Sequence, residues 1–141
     1  RASLFITILV LLLIQAVNAE EPEVQLKNYF NNVAVKVKNT IDPVEKRELL
    51  NTMFKKVLAS IEVVKDYPFL TKKNLAGISI FQNSIQEKYF ELNGMNGYQK
   101  VADANLNSFA SYTVQDTEQA LTITITLLGL ILIILALIIL F

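Results

Sequence analysis

Chemistry in this chain has to be done without the commonest instruments. Its 141 residues include no histidine, no cysteine and no tryptophan. The usual general base is therefore missing, and with it every Ser-His or Cys-His arrangement. The preferred ligands of zinc, haem iron and iron–sulfur clusters are missing too. Carboxylates, amines and hydroxyls remain. Glu45 and Glu48 are three residues apart and Glu87 and Glu91 four apart, spacings that put each pair on one helix face. They lack the Glu-x-x-His units of a di-iron bundle. No Gly-rich phosphate loop, HExxH or EF-hand pattern occurs. The residue inventory predicts a protein that is not an enzyme, with no catalytic residue, no cofactor and no metal.

Two polar side chains interrupt otherwise apolar stripes. Gln82 lies between Ile78 and Ile85, and Asn105 lies between Val101 and Phe109. A hairpin folded about Met95 brings them within about four residues of level, roughly 6 Å along the helix axis. They are the candidates for a core polar pair or a ligand contact. Fixing helix register, or simple exposure at the bundle rim, is the commoner reading of such residues. The stripe aromatics Phe30, Phe54, Phe81, Tyr89, Phe109 and Tyr112 read as core filling. "YPFL", from Tyr67 to Leu70, is an apolar loop. Tyr67, Phe69 and Leu70 there suit either the headgroup layer of a membrane or a cap over the bundle end. The basic pairs Lys46–Arg47, Lys55–Lys56 and Lys72–Lys73 are mixed with acids, as solvated helix faces are.

The elements that position these residues are helical by their spacing. Leu26, Phe30, Val33, Val37 and Ile41 form a first stripe. "IDPVEKRELL" then starts a new helix, with Asp42 as cap, Pro43 in the first turn and Glu45 three residues after the cap. Its stripe is Leu50, Met53, Phe54, Val57, Leu58, Ile61 and Val64, and it should end near Tyr67, before Pro68. A third stripe, Leu75, Ile78, Phe81, Ile85, Tyr89 and Leu92, begins at a Thr71 cap and ends in "LNGMNG". The fourth is Tyr98, Val101, Ala102, Phe109 and Tyr112. It runs on without Gly or Pro into the segment that begins at Ala120, as one rod loosened around Asp116 to Gln119. Four helices of about twenty residues with short turns predict an all-α, up-down-up-down four-helix bundle over 20–119.

The ends differ from this middle. Residues 1–19 carry Arg1, an apolar stretch from Leu4 to Ile14, and Val17, Asn18 and Ala19. That is the pattern of a secretory signal peptide cleaved after Ala19. The alternative, a short membrane helix, spans only roughly 20 Å of a hydrocarbon core about 30 Å thick. Residues 120–141, "ALTITITLLGLILIILALIILF", contain no charge. As one helix they reach about 33 Å, so they are expected to form a transmembrane helix.

Between these ends lie twelve Lys/Arg and thirteen acids, a formal charge of −1, which offers nucleic acid no general attraction. The expectation is a single-pass cell-membrane protein with its bulk extracytoplasmic. Its partners would be the lipid bilayer through 120–141 and a protein partner or a second copy of itself. It would act by protein interaction or assembly, as an envelope accessory or structural subunit. The alternative is a ligand-sensing domain, because the arrangement resembles, in topology only, the four-helix ectodomains of chemoreceptors and some histidine kinases.

Overall fold

A computed structural model describes residues 21–141, apart from the side chains of 122–124. The signal segment expected over 1–19 lies outside the described residues. Every regular element in the described part is helical. The order is α1 (Pro22–Asn39), α2 (Pro43–Lys65), α3 (Lys72–Asn93), a 3-10 turn (Asp103–Asn105), α4 (Leu106–Thr124) and α5 (Leu127–Leu140).

Local sequence chemistry accounts for the first three helices. Pro22 and Pro43 occupy first turns, where their missing N–H costs nothing. The Asp42 carboxylate accepts from the Val44 N–H at 3.0 Å, and the Thr71 hydroxyl accepts from the Asn74 N–H at 3.1 Å. α2 ends at Lys65, ahead of Pro68, as the proline requires. α3 ends at Gly94, whose φ of +68° is the left-handed cap conformation. The Met95 N–H then closes onto the Phe90 carbonyl at 2.9 Å. Ile41 is the misfit of the first stripe. It falls outside α1 and is 96% exposed, because Pro43 ends the run before another turn can form.

Helices α1 to α4 close a ring. α1 packs on α2 and α4, α3 packs on α2 and α4, and the α2–α4 diagonal touches only lightly. Cross-ties show antiparallel neighbours. Arg47, near the start of α2, reaches the Leu92 carbonyl near the end of α3, and Lys27 of α1 meets Glu118 late in α4 at 3.1 Å. Phe30, Phe54, Phe81, Val57, Ile61, Ile78 and Leu106 are fully buried between them. Each such side chain contributes roughly 1.5–3 kcal/mol on burial.

The fourth helix departs from expectation at both ends. Tyr98 to Ala102 are not helical, and α4 begins only at Leu106. Its inward face is Leu106, Phe109, Ala110, Thr113, Thr117 and Leu121, while Tyr112 points outward. The Thr113 hydroxyl donates to the Phe109 carbonyl at 2.9 Å, which lets a polar residue sit in the core.

The transmembrane helix expected over 120–141 is not formed. The chain turns extended at Ile125 (ψ 137°), and Thr126 caps a separate helix of 14 residues, α5. No helix among the described residues is long and apolar enough to cross a membrane. α5 folds back mainly along α2 and also touches α1 and α3. Gly129, Leu130 and Leu132 to Ala136 are buried. The break is built from side chains. The Thr126 hydroxyl accepts from the Gly129 N–H at 3.3 Å and donates to the Asn74 amide oxygen at 2.6 Å. Gly129 allows the close approach, since a β-carbon there would stand 3.1 Å from Ile78. In this arrangement the uniformly apolar helix leaves water by packing on its own bundle.

Candidate functional site

Gln82 and Asn105 are not brought together. Gln82 is half-buried at the α2–α3 seam, where its amide nitrogen donates to Glu62 and its oxygen accepts from Lys65 Nζ at 3.0 Å. Asn105 is exposed in the 3-10 turn that precedes α4. The separation has a plain cause. Bringing them level needs a helix from Tyr98 onward, and the chain instead crosses the bundle end without helix over Tyr98 to Ala102.

One densely tied polar group is a residue the spacing did not single out. The Arg47 guanidinium donates to the Leu92 carbonyl at 2.7 Å, the Val101 carbonyl at 2.6 Å and Asp103 Oδ1 at 3.0 Å. One planar fork thus holds the end of α3 and the crossing strand of chain to the start of α2. One turn further along α2, Asn51 and Asn93 exchange amide bonds of 3.2 and 2.7 Å. Lys46 Nζ donates to Asn107 Oδ1 at 2.8 Å. The sequence signal was present in the pair Lys46–Arg47, but spacing within one helix cannot show that a carbonyl from another will face it.

On the α3–α4 seam, Lys88 lies 2.5 Å from Asp116 and 3.5 Å from Glu91, with the Phe109 ring 6.0 Å away. Burial opposes the ammonium charge. The bond to Asp116 and the two carboxylates outweigh that, so Lys88 is held above its ordinary pKa. Burial alone raises the Tyr29 hydroxyl above its usual value.

Two open grooves flank these ties. One, of about 380 Å³ between α1 and α2, is bordered by Tyr29, Lys36, Glu45, Glu48 and Lys56. The other, of about 340 Å³ between α3 and α4, is bordered by Glu87, Lys88, Glu91, Tyr98 and Asp116. Both mix charges of either sign. No group of acidic side chains with the spacing of a metal site occurs among the described residues.

The loop predicted to be interfacial divides its residues between two environments. Tyr67 is half-buried and, with Val63, Val64, Leu132, Leu135 and Ile139, lines a cavity of about 50 Å³ between α2 and α5. Leu70 is half-buried. Phe69 is 67% exposed, with its ring edge-on to Tyr67 at 5.6 Å.

Compared with protein-family patterns, curated proteins and solved structures, the chain matches none.

Proposed function

We propose that this is a non-catalytic, exported helical module that works at a lipid bilayer by protein interaction or assembly. The observation that carries the reading is the uncharged run 120–141. Within it α5 buries only its own middle and leaves Leu127, Leu128, Ile138, Ile139, Leu140 and Phe141 exposed. Exposed apolar residues grouped at each end of α5 favour contact with lipid or with another apolar surface. The polar side chains support a binding role over a catalytic one. Arg47, Asn51, Lys88 and Asn93 spend their hydrogen-bonding capacity on tying helices together. Export rests on the pattern of residues 1–19. The single spanning helix forms no part of this reading.

The test is cell-free synthesis of the full 141-residue chain with phosphatidylcholine vesicles, followed by flotation. Recovery with the vesicles is expected. Folded protein recovered wholly in the lipid-free layer would overturn the membrane part of the proposal.

A further inference from the structure

Three connections meet at one end of the bundle. α1 starts there, as the Lys27–Glu118 pair between early α1 and late α4 requires. The α2–α3 loop lies there, since it joins the end of α2 to the first turn of α3, where Asn74 sits. The α4–α5 break lies there too, because Thr126 is bonded to Asn74 in the first turn of α3 at 2.6 Å. This convergence places Phe69, 67% exposed, at the same end as Leu127, 67% exposed, and Leu128, 41% exposed. The exposed Lys72 and Lys73 flank them, and Glu21, Glu23 and Asp66 share this end, so its charges nearly balance.

The apolar run 127–141 follows the break at this end as well. The opposite end also exposes apolar side chains, Ile41, Val44, Met95 and Tyr98. There, however, Asp42, Glu45, Lys46, Arg47 and Glu48 surround Ile41 and Val44 in sequence, and α5 begins at the other end.

We infer that the end carrying Phe69, Leu127 and Leu128 is a surface that faces the lipid bilayer. The Phe69 ring and the two leucines dip to the level of the acyl boundary, and Lys72 and Lys73 extend their amines to the headgroups. The near balance of charge makes apolar burial the driving force, so zwitterionic lipid suffices. This inference rests on the membrane reading above and adds which face makes the contact.

The chain has no tryptophan, so one introduced indole reports a single position. Full-length Phe69→Trp, Leu127→Trp and Ile41→Trp variants would be floated with phosphatidylcholine vesicles, with and without brominated acyl chains. Far-UV circular dichroism matching the unsubstituted chain would establish folding, and exposed positions tolerate the change. The expected result is a blue shift and bromine quenching for Phe69→Trp and Leu127→Trp, with Ile41→Trp unchanged. Equal or stronger quenching of Ile41→Trp would overturn the inference. So would unquenched Phe69→Trp and Leu127→Trp in vesicle-bound protein, and in that case the membrane reading would survive. If no variant floats with vesicles, both fall together.

Discussion

The Arg47 side chain bonds two backbone carbonyls at once. Two of its three partners are carbonyls of a non-helical crossing and a helix end, groups with few alternatives. Replacing it with Met should cost about 2–3 kcal/mol, since each bond involves a charged donor and its loss strands an acceptor. Arg47→Lys should recover only part, because a single ammonium does not reproduce the fork. Urea denaturation of the two variants measures both. Lys88 and Tyr29 set the behaviour in alkali. Each has a folded pKa raised above its ordinary value, 10.5 for Lys88 and 10.0 for Tyr29. Their stabilisation is complete below those values and is lost as pH rises through the higher folded ones. The melting temperature should therefore hold steady on the approach to pH 10 and fall above it. Asp116→Asn should weaken the Lys88 share of that fall. Gln82 and Arg47 show why residue-scale prediction succeeds unevenly. A polar residue on an apolar stripe announces that it needs a partner, but the partner's identity is a property of the neighbouring helix.

At the scale of elements, caps and breaks carried most of the legible information. Asp42, Thr71 and Gly94 act where their types predict, because a cap is a contact between residues close in sequence. Gly94→Ala should cost about 1–3 kcal/mol for a left-handed non-glycine residue. The cost should lie toward the upper part of that range, since the new β-carbon would stand 2.9 Å from the Lys100 backbone nitrogen. Thermal melts followed by circular dichroism would show it. The fourth helix was misplaced because the fourth apolar stripe mixed two structures. Val101 packs on the core from a crossing segment, while the true inward face of α4 includes Thr113 and Thr117. Thr126 is the decisive residue of the last break. Thr126→Ala removes both the α5 cap and the bond to Asn74, and should lower stability by about 1–2 kcal/mol.

At the scale of the whole molecule, α5 decides the architecture. Because it packs into the core, Ile133→Ala should destabilise the lipid-free protein by about 2–5 kcal/mol, the range for a large aliphatic side chain truncated in a packed interior. A denaturation midpoint equal to that of the unsubstituted chain would show α5 standing apart from the bundle. Helical periodicity, caps and the uncharged end were determined by the sequence alone, because they depend on neighbours within one or two turns. Tertiary structure decided where the apolar end goes. A segment uniformly rich in Leu and Ile has no polar face to orient it, so composition says only that it leaves water. Its companion was settled by shape: a glycine at 129 that admits Ile78, a threonine at 126 that bonds Asn74, and an α2 face left open by the ring.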